Sequence, residues 1–384
     1  MKKLQFIIFV SIILIVYSLV NFYIFIRGHQ AISEFVPDSI YCSFFAFLSV
    51  SYILSRCFPG RSLFFFRKIF AWIGSYWLGF MSCFFFILLF IDLLRLINVV
   101  FPFYPAFMIE HYQQAKLYTL ISVLGFSFLI IIAGTINAFV IRIKKIQIQI
   151  PKKSAKLDHI NIVALSDLHL GIIMNRIQLK RVIKKINALQ PDIVLIAGDI
   201  IDESLAPVIW KDLGKMFLEI KSRYGVYAVT GNHEFIGGAE SAVEYISRYG
   251  VKFLRDEVVL IDNSLYIIGR EDRDVNRFTK IRRKQISELM ISADSSFPTI
   301  LLDHQPFDLN ETVKNRIDLQ ISGHTHHGQM FPFNLITKKI FEVSKGYKKI
   351  GDTQFYVSSG VGTWGPPVRI GSKAEILHFQ VSLK

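Results

Sequence analysis

Eight residues scattered over 160 positions carry groups that can hold a cation or move a proton. They are Asp167 and His169 in "SDLHLG", Asp199 in "GDIID", Asn232 and His233 in "GNHE", His304 in "LDHQP", and His324 and His326 in "SGHTHHGQ". The last segment crowds three imidazoles into four positions, which is costly unless something electropositive binds them. The donors are carboxylate and amide oxygens and imidazole nitrogens, with no thiolate. Such a set suits Mn²⁺, Fe or Zn²⁺ and fits Mg²⁺ or Ca²⁺ less well. There are too many donors for one tetrahedral ion. A carboxylate shared between two ions accounts for the number, and two ions about 3.5–4 Å apart form a clamp for in-line displacement at phosphorus. Each residue alone has a plainer reading. Asp199 or Asp202 could cap a helix, Asn232 could be a turn residue, and His304 could be a structural histidine. His327 reads as a structural residue or a substrate contact. His111, His159 and His378 read as surface or core.

Elements that could gather these residues are visible around them. "INIVALSDLHLG", "PDIVLIAGDIID", "GVYAVTGNHE", "SLYIIGRED", "PTILLDHQP" and "DLQISGHTHHGQ" are each a short apolar run ending in a polar cluster. Between the first two, Ile177, Val182, Ile183, Ile186 and Leu189 have helical spacing, and a second helix is expected from about Val208 to Arg223. Alternating short strands and helices mean an α/β fold. Loops at the carboxyl ends of strands in such sheets gather on one edge, so clusters remote in sequence can meet there. His324 and His326 are expected to point the same way through strand alternation, with Gly323 letting the backbone pass close to the site. "IRIKKIQIQI" alternates partially and predicts an edge strand, with Pro151 and the lysines after it as a short connector.

The motifs D-x-H, GD-x-x-D, GNH[DE], a lone His after a strand, and GH-x-H follow one another in the order of the calcineurin-like metallophosphoesterases, which the chain resembles from about Ile160 to Leu383. "ISGHTHHGQ" followed by "SSGVGTWGPPVRIG" looks most like the bacterial membrane-associated branch. The resemblance implies two β-sheets sandwiched between helices. It implies that Asp167, His169 and His326 hold a first metal, that Asn232, His304 and His324 hold a second, and that Asp199 bridges them. It further implies a hydroxide between the ions as nucleophile, His233 as the acid that protonates the leaving group, and Asp202 as the residue that orients His233 or its neighbours. Two positions depart from the family pattern: His327, where this branch usually has glycine, and Asp303, where a small residue is commoner. Either could alter substrate fit.

The rest of the chain supplies a different environment. Residues 1–145 read as a transmembrane region and 146–384 as the metallophosphoesterase domain. Apolar stretches run from about Leu4–Ile26, Ile40–Cys57, Ile69–Ile91 and Leu117–Ile141. Each approaches or exceeds the ~20 helical residues that span a bilayer core, the second being the weakest. The first is too long for the apolar core of a signal peptide, and no small-residue cleavage site follows it. The net charge of +14 is unevenly placed: residues 1–150 hold twelve Lys and Arg against Glu34, Asp38, Asp92 and Glu110. Lys2, Lys3, Arg56, Arg61, Arg67, Lys68, Arg142, Lys144 and Lys145 flank the apolar stretches on alternate loops, with Lys152, Lys153 and Lys156 following the last; the bias predicts that both termini, and the catalytic domain, are cytoplasmic. No basic run is interleaved with aromatics, which argues against a nucleic-acid partner. Cys42, Cys57 and Cys83 form no disulfide or zinc pattern.

The expected protein is therefore a multi-pass, membrane-anchored phosphoesterase with two divalent ions, Mn²⁺ first and Fe or Zn²⁺ as alternatives. The branch it resembles includes enzymes acting on lipid-linked phosphates, among them UDP-2,3-diacylglucosamine hydrolases. "MFPFNLITKKIFEVSKGYKK" mixes aromatics with lysines directly after His326. It reads either as a core strand with a solvated loop or as a flap whose Phe331 and Phe333 admit a lipid-linked substrate. Two other classes remain to be set against this reading. A catalytically inactive receptor or scaffold would have lost a ligand, and none is lost. A transporter with a regulatory domain would carry ionisable groups within its spans, whereas Asp92, Arg95 and Asn137 lie near span ends.

Overall fold

A computed structural model describes residues 3–58, 60–152 and 156–383; Lys2 and Lys153, used above for orientation, lie outside them. The chain divides into two compact units, Met1–Thr135 with Gly365–Val368, and Ile136–Trp364 with Arg369–Lys384.

Helices make up the first unit: α1 (Lys3–Ile32), α2 (Asp38–Leu54), α3 (Phe64–Val100), the short α4 (Ala106–Glu110) and α5 (Tyr112–Phe139). α1, α3 and α5 are apolar around their whole circumference, which a water-facing helix is not. Val10–Ile32, Phe64–Val100 and Tyr112–Phe139 are long and apolar enough to cross a membrane; α2, at 17 residues, is apolar but shorter. Ile24, Trp77, Phe84 and Val123 form the common core of this unit. The Trp77 indole N–H donates to Asn21 Oδ1 at 3.0 Å, so a polar pair inside the bundle is satisfied.

Two six-stranded mixed sheets make up the second. Its strands are β1 (Arg142–Ile150), β2 (His159–Leu165), β3 (Ile193–Ala197), β4 (Val226–Val229), β5 (Val251–Phe253), β6 (Glu257–Ile261), β7 (Leu265–Gly269), β8 (Thr299–Leu302), β9 (Leu319–Ser322), β10 (Gly346–Ile350), β11 (Thr353–Val357) and β12 (Glu375–Leu383). The sheet orders are β1-β12-β2-β3-β4-β5 and β10-β11-β9-β8-β7-β6. β1 is the expected edge strand, parallel to β12. β2, β3 and β4 run parallel, as do β7, β8 and β9. Ile162, Leu195, Ile267, Leu302, Ile321 and Phe379 fill the layer between the sheets. Strands buried on both faces need continuous apolar runs, and β3, β8 and β9 are buried at every position.

α6 (Arg176–Ala188) covers the outer face of the first sheet. Asn175 caps it in a reciprocal box with Gln178, and Leu179, Val182, Ile183 and Ile186 are buried. Ile177, expected on that face, is instead 63% exposed, because it occupies the first turn beside the cap. No single helix spans Val208–Arg223. The segment is α7 (Ala206–Trp210) and a 3₁₀ turn at Gly214–Glu219, separated by Asp212 in the left-handed region at φ 51°, which stops an α-helix.

Candidate metal centre

Each parallel strand of the two sheets delivers its polar cluster to the same edge. Asp167 and His169 follow β2, and Asp199 follows β3. Asn232 and His233 follow β4 and open α8 (Asn232–Gly237). His304 follows β8, and His324 and His326 follow β9. All seven candidate metal donors converge. His169 Nε2 lies 3.0 Å from His326 Nε2, which in turn is 3.5 Å from Asp167 Oδ1. Across the site, Asn232 Oδ1 is 2.8 Å from His324 Nδ1 and 3.2 Å from His304 Nε2. Asp199 Oδ2 stands between the two sets, 3.8 Å from His169 Nε2 and 3.2 Å from His304 Nε2. Asp167, His169 and His326, and Asp167, Asp199 and His304, are each close enough to hold one ion.

The proton inventory of this cluster calls for cations. His304 Nδ1 is 2.7 Å from the Ala197 carbonyl. A carbonyl only accepts, so a proton sits on Nδ1, and in a neutral ring the Nε2 lone pair would face two oxygens, a conflict that a second proton or a cation removes. His169 and His326 turn two Nε2 atoms on each other, and at most one proton fits between them. Divalent ions satisfy every one of these lone pairs, so the donor set fits them. In their absence the charges must reside on the side chains. Burial disfavours a charged His304, but Asp199 outweighs it and raises the imidazole well above its ordinary pKa. Burial likewise opposes ionisation of Asp199, yet His304 and the other imidazoles hold it well below the carboxylate range. Desolvation, with the neighbouring His304, brings the half-buried His324 down to about 3.

The backbone here is strained. Asp167, His169, Asp199, His324 and His326 all have φ between 44° and 71°, a region that costs non-glycine residues on the order of 1–3 kcal/mol each and clusters at functional sites. This corrects the expectation for His324 and His326. β9 ends at Ser322, and the two rings reach opposite halves of the cluster through left-handed turns rather than strand alternation. Gly323 performs its expected part: a Cβ there would stand 2.5 Å from Asp167 Oδ2.

Beside the cluster, His233 Nδ1 is 3.3 Å from Asp202 Oδ1, which also lies 3.7 Å from His169 Nδ1. Burial works against a charge on His233, but Asp202 and Asp199 prevail and push its pKa up to about 9. The Trp364 ring lies 6.3 Å from the His233 ring. His327 is apart from the converging donors. Its Nδ1 is 3.0 Å from Ser344 Oγ, and burial lowers its pKa to about 4. Asp303 is likewise diverted, forming buried ion pairs with Arg270 and Arg283. Phe331 and Phe333 are 57% and 37% exposed, at the entry to a helix, Phe333–Ile340; the strand of this segment is not a core strand but the half-exposed edge strand β10, from Gly346.

Three supporting residues escaped the sequence reading. Glu234 accepts from the backbone N–H of Asp199, Ile201 and Gly231 at 3.0, 2.8 and 2.7 Å, binding the loop after β3 to the loop after β4. Its signals were the last position of the GNH[DE] motif, to which no role was given, and the capping-box spacing of Gly-x-x-Glu at a helix start. Arg369, 1% exposed, donates to the Gly360 and Gly362 carbonyls and approaches His326 Nδ1 at 3.4 Å. Gln329 brackets Trp364, donating to its carbonyl and accepting from its N–H, both at 2.9 Å.

The chain is similar to known metallophosphoesterases. The model of the calcineurin-like phosphoesterase family matches residues 160–328. An uncharacterized metallophosphoesterase of Aquifex aeolicus is 32% identical over 251 residues, covering 65% of this chain and 95% of that one. One from Helicobacter pylori strain J99 is 35% identical over 236 residues, 59% of this chain, and the chain spans only 61% of that relative's length. A Bos taurus "transmembrane protein with metallophosphoesterase domain" is 30% identical over 249 residues, 61% of this chain and 55% of that protein.

Proposed function

Because the chain belongs to the metallophosphoesterase family, we propose that it is a membrane-anchored phosphoesterase that cleaves a phosphomonoester, phosphodiester or pyrophosphate bond at the candidate metal centre. The observation that carries this reading is the convergence of seven donors from five strand ends, five of them buried and Asn232 and His324 half-buried, into two sets joined by Asp199. Two divalent ions held there would lower the pKa of bound water toward about 7 and neutralise phosphate charge. Asp167, His169 and His326 would hold one ion, Asn232, His304 and His324 the other, and Asp199 both. The imidazole-rich donor set favours Mn²⁺, with Fe or Zn²⁺ as the alternatives.

The chain's own contribution to the chemistry is proton transfer and exclusion of water. His233, protonated at neutral pH through Asp202 and Asp199, donates to the leaving-group oxygen. Bound ions would repel that proton and bring the acid's pKa down toward the operating pH, where general acids work best. Asp202 fixes the ring orientation, and Trp364 walls one side of His233.

The helices within residues 1–145 supply the membrane anchor, and the two sheets, from β1 at Arg142 onward, the catalytic domain. The Arg and Lys bias places both termini in the cytoplasm. A lipid-linked phosphate is the substrate class that this arrangement favours, as for UDP-2,3-diacylglucosamine hydrolases. Its support is the amphipathic Phe333–Ile340 helix, which exposes Leu335, Ile336 and Ile340 as well as Phe331 and ends in Lys338 and Lys339. Apolar residues backed by lysines suit an anionic membrane surface. A screen of purified full-length protein with Mn²⁺ against soluble phosphomonoesters, phosphodiesters and nucleotide-sugar lipids tests the reading. Turnover is expected, fastest on a lipid-linked substrate. Absence of turnover on every class with two metals bound would exclude a phosphoesterase.

A further inference from the structure

The helical unit contains a cleft of about 640 Å³ that the catalytic reading does not use. Its walls are apolar and aromatic, with Trp77, Phe80, Phe84 and Leu120 among them. Three cations also line it, each from a different helix: Arg27 of α1, Arg95 of α3 and Lys116 of α5. They lie at corresponding helix ends. Arg27 and Arg95 are in the last two turns of α1 and α3, and Lys116 is in the first two turns of α5, after the short connection through α4 turns the chain back.

These cations are held in place. Arg27 donates to Asp92 Oδ2 through Nε and Nη2 at 3.1 and 2.6 Å, and Arg95 donates to Asp92 Oδ1 at 3.1 Å. The Tyr23 hydroxyl donates to the same carboxylate at 2.6 Å. Lys116 Nζ stands 5.0 Å from the centre of the Tyr112 ring. One carboxylate therefore orients two guanidiniums without neutralising the set, and the side chains of Arg27 and Arg95 stay 31% and 33% exposed. Ionisable groups within apolar helices are expensive and mark ligand sites when they converge.

We infer that this cleft binds an anionic membrane lipid, its headgroup phosphate against Arg27, Arg95 and Lys116 and its acyl chains along the aromatic wall. Charge complementarity selects the headgroup, and an apolar cleft in a membrane-spanning unit selects a lipid over a soluble phosphate. This site is independent of the metal centre.

Trp72 and Trp77 line the cleft, so lipids with brominated acyl chains report occupancy by quenching their fluorescence. The experiment uses delipidated full-length protein in neutral detergent, titrated with brominated phosphatidylglycerol or brominated phosphatidylcholine. Half-maximal quenching by phosphatidylglycerol is expected at a mole fraction at least fivefold lower, about what one basic residue contributes near a headgroup. Combined Arg95→Gln and Lys116→Gln should abolish the preference, and Lys116→Arg should retain it. Lys116→Gln alone leaves the Asp92 network intact and should lower the preference by itself, so the test survives a double variant that fails to fold. Equal quenching by the two lipids, a preference unchanged by Lys116→Gln, or displacement by inorganic phosphate would each overturn the proposal.

Discussion

A buried imidazole normally loses its charge, yet His233 is pushed up to about 9 because Asp202 and Asp199 outweigh its burial. A group that keeps its proton at pH 7, next to the donor cluster with its ring 4.5 Å from that of His169, has the properties of a general acid. General acid catalysis contributes about 10²- to 10⁴-fold. His233→Ala should lower turnover by that factor on alkyl phosphate esters and far less on p-nitrophenyl esters, with bound metal unchanged by elemental analysis. Equal losses on good and poor leaving groups would remove His233 from this role. Residue identities at the site were legible in the sequence because acids, amides and imidazoles repeatedly followed apolar runs. What joins them was not. Glu234, Arg369 and Gln329 act through hydrogen bonds to backbone groups of remote loops, and such contacts leave almost no local pattern.

Strands and turns then set how tightly those side chains are held. The strand runs were plain, since continuous Ile, Val and Leu between turn residues is what a doubly covered strand requires. The turns were not. Five donors sit in left-handed conformations; Asp and His enter that region more readily than most residues, but too seldom for the sequence to place them there. The loop before Ile286 is anchored differently, through Asp303 to Arg270 and Arg283. Removing one partner of a buried ion pair costs about 3–5 kcal/mol. Asp303→Ala should therefore lower unfolding free energy by roughly 3 kcal/mol in denaturant titrations, leaving metal content intact. A stability change within experimental error would show that the pairs are not formed. The Phe333–Ile340 helix makes a separate prediction. Phe331→Ser with Phe333→Ser should slow hydrolysis of a lipid-linked phosphate in anionic vesicles while sparing a small soluble ester. Equal slowing of both would show that these rings serve the site itself rather than a membrane surface.

At the scale of the whole molecule, the sequence divides between two solvents. Three helices suited to a bilayer come first, and a two-sheet unit with charged surfaces follows. Composition alone revealed this, because a span must be apolar on every face whereas a strand or amphipathic helix need not be. The length of α2 was less legible, since apolarity does not say where a helix stops. Orientation rests on Arg and Lys counts in short loops. A reporter fused after Lys384 should read out as cytoplasmic, and an external signal would overturn the assigned topology.

The central claim is a pair of ions joined by one carboxylate, and metal stoichiometry tests it most directly. Purified full-length protein loaded with Mn²⁺ should contain two ions per chain. Asp199→Asn keeps the shape and a donor oxygen but removes the shared charge, so it should retain one ion or fewer and lose several orders of magnitude of turnover, with an unchanged circular dichroism spectrum. Two ions per chain and near-normal turnover in Asp199→Asn would contradict the account.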